Sequence, residues 1–167
     1  MLKDSLIEWS NANYNDLILD NYLLFGTGSY RNRSDYREAT KTDNRIRAVE
    51  HYALKFSKRF KVSRKKLCLV YNDEIGGSKD RELAAGHSHI AVSNYLPKSI
   101  DPIEASHWSN EFWRENYGIS RFEPFDPKKK LRAIGYLTKV YQGNQLVLND
   151  FRTTKAMKKH LAYLKNN

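Results

Sequence analysis

A chain of 167 residues suffices for one domain with a hydrophobic core and leaves no room for a second enzyme module. No apolar run approaches the roughly 18 residues of a membrane span, and the opening MLKDSLIEWS lacks a signal peptide's basic-then-apolar order, so the expectation is an intracellular protein without membrane attachment. Twenty-nine Lys and Arg against 19 Asp and Glu give a net charge of +10, beside three Trp, eleven Tyr and seven Phe, a composition suited to phosphate neutralisation and base stacking on nucleic acid, though a merely basic protein would share it.

Residues 21–28, NYLLFGTG, close an apolar run from Leu17 and stop at two glycines, which predicts a strand entering the polar loop RNRSDYREATKTD. From Asp43 onward Ile46, Val49, Ala53, Phe56 and Phe60 recur at helical spacing, with Arg45, Lys55, Lys58 and Arg59 largely off that stripe. KLCLVYNDE (66–74) and AAGHSHIAVSNY (84–95) read as two strands that could pair as a long hairpin through EIGGSKDREL, with Cys68 a small buried residue in the first. Asp101, Pro102 and Glu104 supply an N-cap, a first-turn proline and an acid for a helix running through Trp108 and Phe112 to Gly118. ISRFEPF (119–125) is a further strand; Asp126-Pro127 then repeats the helix-start chemistry for KKKLRAIGYLTKVYQG, with Gly143 as its stop. Residues from about 150 to 167 read as a basic helical tail. The predicted fold is one α+β domain over 1–167, a central antiparallel sheet flanked by helices.

AAGHSHIAV holds the first chemical candidate. On a strand, residues two apart share a face with Cα atoms about 6.6 Å apart, so the imidazoles of His87 and His89 can converge on one ion. If the two strands pair, the first ends at Asp73-Glu74 and brings a carboxylate alongside. Two imidazoles plus a carboxylate suit Mn²⁺, Mg²⁺ or Zn²⁺ with coordination positions left open. A surface pair of histidines would give the same letters, so the dyad needs a partner that does chemistry.

The last full helix offers one. With Leu131, Ile134, Thr138 and Tyr141 forming a core stripe, Tyr136 falls nearly opposite, among Arg132 and Lys139. A phenol, with its pKa near 10, is a weak nucleophile at neutral pH; neighbouring cations favour phenolate and attract a phosphate to be attacked. Together the parts make metal-assisted phosphoryl transfer to tyrosine, with Lys139 neutralising developing charge and no small-molecule cofactor, in keeping with the lack of a phosphate-cradling Gly-Lys loop. Two basic runs, residues 55–66 and 125–132, could line a phosphate track; Lys128, Lys129 and Arg132 of the second, with Arg31 and Arg33 of the polar loop, are the expected nucleic-acid contacts.

GHSHIAV followed by IGYLTKVY, with YLLFGTG ahead of both, resembles the HUH endonucleases, and among them the rolling-circle replication initiator (Rep) nucleases of small viruses and plasmids. The resemblance covers roughly residues 17–143, in the order strand motif, histidines, tyrosine. It implies His87 and His89 as metal ligands, Tyr136 and Lys139 as the nucleophile and lysine of a Tyr-x-x-Lys motif, and Glu74 as the acidic ligand, with Asp73 the alternative. It further implies Mg²⁺ or Mn²⁺, single-stranded or origin stem-loop DNA as substrate, and unwinding by a separate helicase. Ser88 stands where the family usually has a bulky apolar residue, a change expected to touch packing on the far face and not coordination. A transposase of the same chemistry, and a noncatalytic single-strand-binding module, are the alternative readings.

Overall fold

The computed structural model describes residues 17, 20–30, 42–74, 86–138, 141–142, 145–146 and 149–167; of residues 42, 43 and 74, and of the described residues from 141 to 151, only the main chain is described. In chain order the elements are β1 (Tyr22–Ser29), α1 (Thr42–Arg59), β2 (Leu69–Glu74), β3 (His87–Ser93), α2 (Pro102–Asn116), β4 (Ser120–Pro124), α3 (Lys130–Leu137), β5 (Tyr141–Gln142), β6 (Gln145–Leu146), β7 (Asn149–Thr153) and α4 (Lys155–Asn166). The architecture is α+β: an antiparallel sheet ordered β4-β1-β3-β2-β7, with four helices among the described residues. None of those helices is long and apolar enough to cross a membrane.

Two hydrophobic layers sandwich the sheet. Leu24, Leu69, Tyr71, Ile90 and Val92 meet Val49, Tyr52, Ala53 and Phe56 of α1 and Ala105, Phe112 and Trp113 of α2. On the other face Tyr22, Val70 and Ala91 meet Ile134 and Leu137 of α3 and Met157 of α4. The two-residue side-chain alternation of a strand assigns the faces: even positions of β3 (Ser88, Ile90, Val92) look to α1 and α2, odd positions (His87, His89, Ala91) to α3. Cys68 lies in the second layer, where burial pushes its thiol up to about 11, the pKa of an inert, structural cysteine.

The two glycines of YLLFGTG do not end the strand. They lie inside β1, paired with Ile90 and Ser88. A Cβ on Gly26 would collide with the Phe122 ring and backbone, and one on Gly28 with the Trp113 indole. Trp113 also donates from Nε1 to the Ser29 carbonyl (2.9 Å), so α2 lies flat on β1 because nothing projects at position 28. Gly28→Ala is therefore expected to lower unfolding free energy by about 1–3 kcal/mol, read as a lower denaturation midpoint at unchanged slope; an unchanged midpoint would contradict this packing.

Three other expectations change. The helix expected to reach Gly143 ends at Leu137, and its buried face is Ala133, Ile134 and Leu137. Leu131 is 72% exposed, Thr138 is the C-cap, and Tyr141 belongs to β5, so of the expected core stripe Ile134 is buried within the helix, beside Ala133 and Leu137. Arg45, expected off the apolar stripe of α1, is buried. The basic tail begins as a strand: β7 adds to the β2 edge before Thr154 caps α4 through Met157 N. Thr154 Oγ1 also donates to the Leu67 carbonyl and accepts from Leu69 N, fastening the start of α4 to the start of β2.

Candidate functional site

The second strand pair forms as expected, and its register decides the site. Across the sheet Thr27 pairs with His89 and His89 with Asn72; one row on, Ser29 pairs with His87 and His87 with Glu74. Directly paired residues of antiparallel strands share a face, so Thr27, His89 and Asn72 form one row and His87 begins the next. The imidazoles stand 4.9 Å apart, nearly perpendicular, both buried. Gly86, immediately before His87, has φ 132°, a conformation that favours glycine and turns the chain into β3.

Tyr136 joins this face. Its ring centroid lies 5.2 Å from that of His89, and Arg132 sits over the Tyr136 ring with Cζ 5.9 Å from the centroid, within cation–π range. Asn72 Nδ2 donates to the Tyr136 main-chain carbonyl (3.1 Å), tying α3 to the row that carries His89. Phe25 stacks on the His89 ring at 6.2 Å. Tyr136 is half-buried beside His89, not the outward residue expected from the helix period.

Two features bear on a bound cation. Thr27 Oγ1 lies 2.8 Å from His89 Nδ1, so a ligating His89 would use Nε2 while Nδ1–H is held by Thr27, the usual way a neighbouring group fixes a ligating imidazole. Asn72 Oδ1, in the same row, is buried without a hydrogen bond among the described residues, an arrangement that costs free energy unless something electropositive approaches it. These donors, two nitrogens and a neutral oxygen, fit a divalent ion of the Mn²⁺ or Mg²⁺ class better with a carboxylate added. Glu74 is in register for that, opposite His87, but its side chain lies outside the described residues. Among the described residues no group of three or more His, Cys, Asp and Glu gathers to hold a metal.

Asp73, the alternative carboxylate, is excluded by the pleat. It pairs with Ser88 on the opposite face, where Ser88 Oγ donates to Asp73 Oδ1 (2.5 Å). With its proton committed there, Ser88 accepts from Tyr30 Oη (2.7 Å), whose pKa is raised well above the usual phenol value by burial and by Asp73. Ser88 is thus the centre of a buried polar chain, which a bulky apolar residue at this position would break.

Of the remaining expected contacts, Lys128, Lys129 and Arg132 are exposed on the turn and helix leading to Tyr136, with Lys129 3.8 Å from Asp126. Lys139, Arg31 and Arg33 lie outside the described residues. The structure adds Thr27, Asn72 and Phe25, which no motif marked: only the pairing register aligns them with His89. His51 bonds Tyr117 on the α1 and α2 side of the sheet, and His160 of α4 is buried against Asp20 (2.6 Å), so neither is part of the His87–His89 pair. Comparison with protein-family models, curated proteins and solved structures found no match.

Proposed function

We propose that the chain is a divalent-metal-dependent enzyme that nicks and joins single-stranded DNA, an HUH-type Rep nuclease starting rolling-circle replication through a covalent 5′-phosphotyrosine. The observation that carries this reading is the juxtaposition of His87, His89 and Tyr136 on one sheet face, with rings 4.9 and 5.2 Å apart. Two chemically distinct expectations from separate parts of the chain, a histidine pair on β3 and a tyrosine on α3, meet there, which packing alone does not require. The antiparallel sheet with helices on both faces is compatible with the same family.

In this reading His87, His89 and Glu74 hold Mg²⁺ or Mn²⁺, which supplies Lewis-acid polarisation of the scissile phosphodiester. Tyr136 Oη attacks the phosphorus: the phenolic O–P bond forms, the P–O3′ bond breaks, the phenolic proton passes to solvent, and the departing 3′ oxygen takes a proton from solvent. Asn72 holds the main chain of Tyr136 in place, which fixes the attacking group relative to His89. Lys139 neutralises charge at the phosphate, and Lys128, Lys129 and Arg132 bind the DNA backbone. Rejoining is the reverse attack by a 3′ hydroxyl and needs no nucleotide, because the phosphotyrosyl bond conserves the energy of the bond broken. Unwinding falls to a separate helicase.

The test is a denaturing gel of protein incubated with fluorescent stem-loop oligonucleotides and Mn²⁺. A labelled, protein-sized band that EDTA suppresses is expected. Binding with no covalent species across a panel of candidate origins would instead favour a noncatalytic binding module.

A further inference from the structure

The two basic runs that could have lined a single track are separated by the fold. Residues 128–132 approach the histidine face, whereas Arg64 and Lys65 lie in a short 3₁₀ turn (Arg64–Lys66) before β2. There they border a groove of about 620 Å³ between α1, β2, the end of β7 and the start of α4, a volume typical of ligand sites. Its floor is apolar, with Val49 and Ala53 of α1 and Leu69 and Tyr71 of β2. By strand alternation Leu69 and Tyr71 point away from the face of Asn72 and His89.

The rim is basic. Arg64 and Lys65 are joined there by Lys155 and Lys159, one helical turn apart on α4, with Glu50 the one acidic lining residue. None of the four cations is ion-paired among the described residues. The convergence is built into the fold: Thr154 bonds both Leu67 and Leu69, so the 3₁₀ turn and α4 cannot drift apart to relieve the repulsion. Unneutralised like charges around a low-dielectric concavity focus their field into it and favour a polyanion.

We propose that this groove binds a phosphodiester segment of single-stranded DNA distinct from the segment at the histidines, with phosphates on the four-cation rim and a base on the apolar floor. This rests on the reading of the chain as a single-strand DNA enzyme. The apolar floor of the groove and the histidines lie on opposite faces of the sheet, with Lys155 and Lys159 of α4 at the β7 edge between them, so one strand serving both passes around that edge, and a long substrate is held at two points.

The experiment compares wild type with R64E/K65E/K155E/K159E by fluorescence anisotropy on a labelled oligonucleotide of about 30 nucleotides, across a salt series. Loss of about three phosphate contacts predicts binding weaker by about tenfold or more near 0.1 M salt and a log–log salt slope shallower by about 2. Matching circular dichroism verifies the fold, and K155Q/K159Q gives the same comparison with a smaller change should the fourfold variant fail to fold. The same difference is expected in an H87A/H89A background, so a groove effect there without any nicking by wild type would retire the nuclease reading and leave the groove standing. Unaltered affinity and slope in the charge-reversed protein, no binding of the long oligonucleotide by wild type, or a free mononucleotide displacing the long oligonucleotide at equal concentration would each overturn the proposal.

Discussion

Tyr136→Phe is expected to remove the proposed covalent protein–DNA species, with a loss of at least about a thousandfold in the rate of adduct formation, while DNA binding and thermal stability stay close to wild type. The phenyl ring keeps the contact with His89 and the place beneath Arg132, so the change is confined to the phenol oxygen. Electrophoresis of the adduct measures the first quantity, anisotropy and a thermal melt the others. Tyr141→Phe is the control and should retain adduct formation, since residue 141 sits in β5, past the end of the helix that presents Tyr136. An adduct mapped to Tyr141 by peptide mass spectrometry would refute the assignment of the nucleophile while leaving the chemistry in place.

The second large effect is at the histidines. His87→Ala and His89→Ala should each abolish cleavage, by about a thousandfold or more, and weaken Mn²⁺ binding measured calorimetrically, while affinity for DNA changes little because phosphate contacts are spread over many cations. His89→Ala also removes the Thr27 bond and the Phe25 stack, a stability cost on the order of 1 kcal/mol, so it is to be compared at a temperature where both proteins are folded. Parallel loss of cleavage and binding, with metal affinity untouched, would show the pair to be structural.

Much of this face was legible in the sequence because short-range periodicity controls it. Alternation put His87 and His89 together, Asp101 marked a helix start that the structure reproduces, and Asp126 caps a 3₁₀ turn (Pro127–Lys129) that leads into α3, each carboxylate accepting from the main-chain N–H two residues on. What stayed hidden depends on pairing across long separations. Thr27 and Asn72 become neighbours of His89 only through the registers of β1 and β2, and nothing local in YNDE distinguishes Asp73, on the far face, from the residues flanking it. The strand β7 was hidden for a related reason: NDFRT has little apolar alternation of its own, and it is the open edge of β2 that recruits it. The early end of α3 reflects competition, since the Thr138 hydroxyl donates to the Ile134 carbonyl that the main-chain N–H of Thr138 also uses.

The Tyr30–Ser88–Asp73 chain has a consequence for assembly of the sheet itself. A one-residue slip of β3 against β2 would move both histidines to the α1 and α2 side and bring Ile90 and Val92 out opposite α3, a misalignment that apolar residues alone resist weakly because β3 is apolar on both faces beyond residue 89. In the slipped state Asp73 would keep its burial and lose the Ser88 hydrogen bond, a loss of about 1.5–3 kcal/mol for a bond to a charged group. Ser88 therefore works as a key cut for one alignment, and the faithful threading of β3 depends on the residue that lies between the histidines and faces away from both.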